Sequence, residues 1–175
     1  TMPMGLTKSF AMKHRNHHRL TRIALLPVPG QPSRVVLNRY PIVETEQHAY
    51  AAFPWWALFG FWVFFTPLII LLQQLFSQLP IVLGGYAAVA WSMMCYEIFH
   101  AIEHRPYEWW KRVTEHPRYG ALWRKIYGFH HMHHANVHCN EAIGGFFGLP
   151  IADWVFRTYH QPQGLFLSGH VATVE

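Results

Sequence analysis

Residues 54–76 read PWWALFGFWVFFTPLIILLQQLF, and residues 79–99 read LPIVLGGYAAVAWSMMCYEIF. About 20 consecutive apolar residues suffice for a helix to cross the hydrocarbon of a bilayer. The two runs therefore predict membrane-spanning helices over about 53–76 and 79–100. Pro54 suits a first helical turn, and Trp55 and Trp56 suit the headgroup belt. Pro67 falls inside the first run and predicts a kink, with Thr66 placed to satisfy a freed backbone group. So few residues join the runs that the helices must form an antiparallel hairpin.

The charges on either side orient that hairpin. Lys and Arg lie at or before Arg39 or at or after Arg105, seven on each side, and no Asp, Glu, Lys or Arg occurs from Gln47 through Tyr96. The tip, Ser77 to Pro80, carries no charge, so both flanks are expected to face the cytosol. Both ends of the sequence then lie on the cytosolic side of a multi-pass protein, in a bacterial cytoplasmic membrane or the endoplasmic reticulum. The net charge of +5 reads as basic collars at the membrane surface, not as a nucleic-acid site. Only 13% of residues are charged, against about 25% in an average soluble domain.

Length allows one domain, residues 1–175. The first 25 residues are basic and lack a continuous apolar core, so no signal peptide is expected. Residues 1 to about 48 are polar and punctuated by Pro27, Pro29, Gly30 and Pro32, and read as a connector. Tyr107, Trp109 and Trp110 with Lys111 and Arg112 look interfacial, and Ala121 to His134 predicts a helix. Gly144, Gly145, Gly148 and Pro150 predict a tight turn. With no strand expected, the fold class is all-α. Cys95 and Cys139 support neither a disulfide framework nor a cysteine-based zinc site.

Histidine is the anomalous residue, with 14 copies. Three clusters stand out: His14, His17 and His18 (HxxHH); His100 and His104 (HxxxH); and His130, His133 and His134 (HxxHH). On a helix, residues three and four apart share one face, so each cluster presents its imidazoles together. Eight imidazoles exceed what one tetrahedral zinc can use, which points to two metal ions. At about 1.5 Å per residue, His100 lies roughly 30 Å along its helix from Pro80, at the cytosolic surface where the other clusters must also be. His131 and His138 are candidate additional ligands. Glu97, Asp153, Asn136 and Asn140 are candidate supports that orient a ligating imidazole. His48, His116, His160 and His170 have no partner at ligand spacing and read as ordinary polar residues.

The order HxxHH, apolar hairpin, HxxxH, HxxHH, closed by GGFFGLPIADWVFRTY over 144–159, resembles the fatty acid hydroxylase and sterol desaturase superfamily of membrane histidine-box dimetal oxidases. The resemblance runs from about Lys13 to Tyr159. It implies a pair of iron ions, for which zinc could substitute, held by His14, His17, His18, His100, His104, His130, His133 and His134. It also implies dioxygen, an electron-donor protein such as cytochrome b5 or a ferredoxin, and hydroxylation or desaturation of a fatty acid, sterol or related lipid. The family usually carries an earlier hairpin and a further histidine pair, so an N-terminally truncated four-helix membrane fold is expected. Many relatives have Gly where Arg157 stands.

Imidazole suits iron, zinc and copper alike. Two other functions therefore fit the ligands: a zinc-dependent membrane hydrolase with Glu103 as base, and a non-catalytic metal-binding or transport protein. The latter expects histidines or acids within the bilayer path, where only His48 stands, at its edge.

Overall fold

Strand pairing in the supposed connector decides how the base of the molecule is built. In the computed structural model, which describes residues 4–28, 31–142, 145, 147, 149–161, 164–167 and 171–172, this segment is regular. It forms helix α1 (Met4–Leu20) and strands β1 (Ile23–Val28) and β2 (Gln31–Asn38). With β3 (Val171–Ala172) they make an antiparallel sheet in the order β1-β2-β3. The fold is mostly helical but not all-α. Ile23 and Val35 point inward while Leu26, Val36 and Leu37 stay exposed, a half-buried pattern that favours a strand over a loop. Pro27 is tolerated because β1 is an edge strand and owes no N–H to an outer neighbour. Pro29, Gly30, Gly144, Gly148 and His170 lie outside the described residues.

After α2 (Thr45–Ala51) come two long apolar helices, α3 (Ala57–Leu75) and α4 (Ile81–Glu103). Both are long and apolar enough to cross a membrane. Pro54 precedes α3 instead of entering its first turn: its carbonyl accepts the Ala57 N–H at 2.8 Å. Pro67 sits within α3, and the Thr66 hydroxyl donates to the Trp62 carbonyl at 2.7 Å. Contacts between the helices run in opposite chain order. Gln73 Oε1 accepts the Val82 N–H, and Trp62 Nε1 donates to the Tyr86 carbonyl. Phe53, just before α3, packs on Tyr96. Gly85 brings the helices together, since a Cβ there would lie 2.8 Å from Ile69.

Below this pair lie α5 (Tyr107–Thr114) and α6 (Gly120–Ala135). The core joins Ile23, Val35, Tyr40, Trp110, Tyr127 and Phe166. Trp110, expected at an interface, is therefore a core residue, because α5 lays one face on α6; its neighbour Trp109 stays exposed. On α6, Ile126, Phe129 and His133 are buried, whereas Leu122, which shares their helical spacing, is exposed.

Candidate metal centre

Three helices supply the clustered histidines, and each is anchored so that its imidazoles face the others. The last turn of α1 carries His17 and His18. Buried Gln47 holds that end in place: its amide donates to the Leu20 and Arg39 carbonyls, and its oxygen accepts the Val43 and Glu44 N–H groups. His100 lies in the last turn of α4 and His104 at its C-cap. His130, His133 and His134 lie along the last turns of α6.

These side chains meet in two groups. Ring nitrogens of His17, His100, His104 and His134 all lie within 4.8 Å of one another, as do those of His14, His18 and His133. His17 Nε2 is 3.1 Å from His104 Nε2 and 3.1 Å from His100 Nε2. His130 Nε2 joins the first group, 3.2 Å from the Nε2 atoms of both His104 and His134. In the second group His14 and His18 approach at 3.1 Å through Nε2.

The opposite ring nitrogens set which lone pairs face the cluster. His104 Nδ1 faces the Tyr40 carbonyl at 2.7 Å, and His133 Nδ1 the Cys139 carbonyl at 2.8 Å. A carbonyl only accepts, so each Nδ1 carries the proton and each Nε2 presents a lone pair. His134 Nδ1 reaches the Thr21 carbonyl at 3.1 Å and the Thr21 hydroxyl at 3.0 Å. That hydroxyl gives its own proton to the His17 carbonyl at 2.7 Å, so it too accepts from His134. Burial pushes His17 and His18 down to about 2, and repulsion between neighbouring imidazoles adds to it. Burial likewise holds His104, His130 and His134 well below their ordinary value. The rings are neutral, and those whose Nδ1 keeps the proton offer an Nε2 lone pair to a cation. Metal–imidazole bonds of about 2.0–2.1 Å put neighbouring ligand nitrogens about 3 Å apart. The donor set therefore fits metal ions, and these buried clusters could hold one.

All eight histidines of the three boxes come together. The other sequence candidates separate from them. His131 points from the opposite side of α6 into the core, 4.2 Å from the Tyr40 ring and 4.1 Å from Tyr127 by ring centroids, with burial lowering it to about 3. His138 is exposed beyond the helix end, its N–H on Asn136 Oδ1 at 3.1 Å. Both lie outside the two groups. Asn136 is thereby a helix-end cap, not a support for an imidazole.

Glu97 accepts the Phe53 N–H at 2.6 Å and ties the start of α3 to α4. It orients no imidazole. Asp153 is buried and accepts from the Glu141 and Ala142 N–H groups and the Thr158 hydroxyl, closing the loop after α6 onto α7 (Ile151–Phe156). Asn140, with a left-handed φ of 54°, donates to the Phe129 and His160 carbonyls. Arg157, at φ 59°, caps α7 in the left-handed conformation that glycine adopts most readily. His48 and His160 are exposed, and half-buried His116 stacks on Tyr119.

Sequence reading missed Tyr40, Thr21 and Gln47, because nothing in their local pattern separates them from ordinary loop residues. Glu103, which the sequence offers only as a base, has a place in the cluster as well. It is buried, with Oε2 3.7 Å from His130 Nδ1. It helps to line a cavity of about 110 Å³ with His14, His18, His100, His130 and His133. A larger groove, about 560 Å³, runs past Ile42, Val43, Glu97, Ala101, His104 and Arg105. No family model matches the chain, and no curated protein or solved structure matches it either.

Proposed function

We propose that this chain is a membrane-bound di-iron oxygenase that hydroxylates or desaturates a C–H bond of a lipid. The observation that carries the reading is the convergence of eight imidazoles, with Nε2 of His104, His133 and His134 left free by hydrogen bonds at Nδ1, at the foot of two exposed apolar helices. Iron and the lipid substrate come from the resemblance to the fatty acid hydroxylase and sterol desaturase superfamily. In this reading α3 and α4 cross the bilayer as a hairpin, the basic flanks face the cytosol, and an electron-donor protein supplies reducing equivalents there.

His17, His100, His104, His130 and His134 would hold one ion, and His14, His18 and His133 the other. When bound, an iron pair supplies dioxygen activation and the oxidising power to take hydrogen from an unactivated carbon. The chain's residues do the rest. The Tyr40 and Cys139 carbonyls and Thr21 fix which nitrogen of His104, His133 and His134 is free to ligate, a role that typically matters 10–100-fold to metal affinity. The smaller cavity has room for a small molecule but not a lipid chain. The larger groove has the size of a ligand pocket, for which about 300–1,000 Å³ is usual. It runs along α4 to His104, with Glu97 and Arg105 at its polar rim, and would hold the substrate's reacting segment. Glu103 Oε2, beside His130 Nδ1, is a place where a proton can be held.

The test is metal analysis of protein purified in lipid nanodiscs, paired with mass spectrometry of lipids incubated with reductant in air and under nitrogen. Two irons per chain and an oxidised lipid formed only in air are expected. Tightly held zinc with lipid cleavage under nitrogen would overturn the proposal in favour of a hydrolase with Glu103 as base.

A further inference from the structure

A connected set of oxidisable rings leads away from the histidine cluster. Tyr40 is wholly buried and lies 4.5 Å from His104 by ring centroids. Tyr127 follows, 5.9 Å from Tyr40, with the His131 ring between them at 4.2 Å from one and 4.1 Å from the other. Trp110, also buried, stacks on Tyr127 at 4.9 Å. It touches Trp109 at 5.2 Å and Trp123 at 5.8 Å. Trp109 is 54% exposed. The series thus runs ring to ring from a candidate ligand to the surface.

Ordinary core packing does not account for this composition. The Tyr40 hydroxyl and both His131 ring nitrogens are buried without a hydrogen-bond partner among the described residues, where each such group costs about 1–3 kcal/mol. Phe would fill either position without that cost. Tyrosine and tryptophan are the side chains that most readily give up one electron, and tryptophan can do so while keeping its N–H, here donated to the Ile102 carbonyl at 3.2 Å. Among the described residues Tyr40 has no acceptor for its phenolic proton, so it couples its neighbours electronically, and Trp110 is where a hole can rest.

We propose that Tyr40, Tyr127 and Trp110 form an exit route by which an oxidising equivalent left on the metal centre, when no substrate hydrogen is available, escapes to Trp109. The route rests on the reading of the cluster as a redox-metal site. One electron leaves the Trp109 indole, passes inward through Trp110, Tyr127 and Tyr40, and reduces the centre at His104 by one. A thiol in solution then returns one electron to the Trp109 radical cation, releasing its proton and ending as half of a disulfide. Without thiol, the indole loses its N–H proton to water and the radical combines with dioxygen, marking Trp109 with added oxygen.

The experiment loads the full chain with iron or with zinc in detergent, measures bound metal, treats both with hydrogen peroxide in air, and maps added oxygen by peptide mass spectrometry. Trp109 should be oxidised severalfold more in the iron form than in the zinc form, and thiol should suppress the mark. Trp110→Phe should lower it severalfold and move damage to Tyr40 and the cluster histidines. Tyr127→Phe, which retains the ring, should act in the same direction if Trp110→Phe fails to fold. Equal marking in iron and zinc forms, or marking unchanged in the folded variant, would overturn the route alone. A chain that binds no iron would overturn the route and the proposed function together.

Discussion

Helices α3 and α4 turn Val63, Phe64, Leu75 and Leu83 outward, whereas the base beneath them buries His17, Gln47, His104, His134 and Asp153. One region leaves its apolar side chains uncovered; the other hides polar ones. A surface as apolar as that of the helix pair is stable only where something apolar covers it. The buried polar groups of the base are tolerable because most have a fixed partner, and because the Nε2 lone pairs suit a cation. The two regions thus answer to different surroundings, and four experiments probe the contrast.

The largest effect is expected at His104, whose Nε2 meets both His17 and His130. His104→Ala should cost a full equivalent of bound metal by elemental analysis, while a variant at exposed His138 should bind as the parent does. Full retention in His104→Ala would break the contrast at its centre.

Acid is the next probe. Metal-free His17 and His18 are held near 2 and His131 near 3 by burial, below an unfolded value of about 6.5. Below that pH the unfolded chain binds protons that the folded base refuses, so stability falls as pH drops and is unaffected above it. The loss is about 1.4 kcal/mol per pH unit for each such histidine. Denaturant melts followed by tryptophan fluorescence should weaken steeply from pH 6.5 to 5, and bound metal should shift the loss to lower pH. A flat profile would mean that the cluster is hydrated.

In the helix pair, Phe64 is 61% exposed near the middle of α3. Phe64→Asp should cost about 3–4 kcal/mol of membrane insertion, read as a fall in carbonate-resistant protein. On a water-facing surface the same change would be nearly silent. The smallest effect separates adjacent glycines. Gly85→Ala pushes against Ile69, whereas a Cβ at Gly84 meets nothing within 4 Å. In thermal unfolding Gly84→Ala should be neutral or stabilising by about 0.5–1 kcal/mol, and Gly85→Ala should destabilise relative to it.

Long-range order was unevenly legible. The two apolar runs and the helical spacing of His130, His133 and His134 could be read directly, since a helix needs only local periodicity to declare itself. The sheet could not, because Pro27 and Pro32 mask strands whose stability comes from pairing with one another and from packing against α6. Glu97 and Asp153 were misread for a related reason. A buried acid looks the same in sequence whether it supports an imidazole or accepts from the backbone N–H of Phe53 or Glu141.

By itself, the sequence determined the apolar pair, the basic flanks and the three histidine boxes, all properties of spacing and composition. Only the tertiary structure decided that His131, a candidate further ligand beside the box residue His130 on the same helix, leaves the cluster. Successive residues on a helix diverge by about 100°, so one faces the other histidines and its neighbour faces Tyr40. Tyr40 also supplies the carbonyl that fixes His104, across 64 residues of chain. A tautomer set by so distant a backbone oxygen leaves no trace in local sequence.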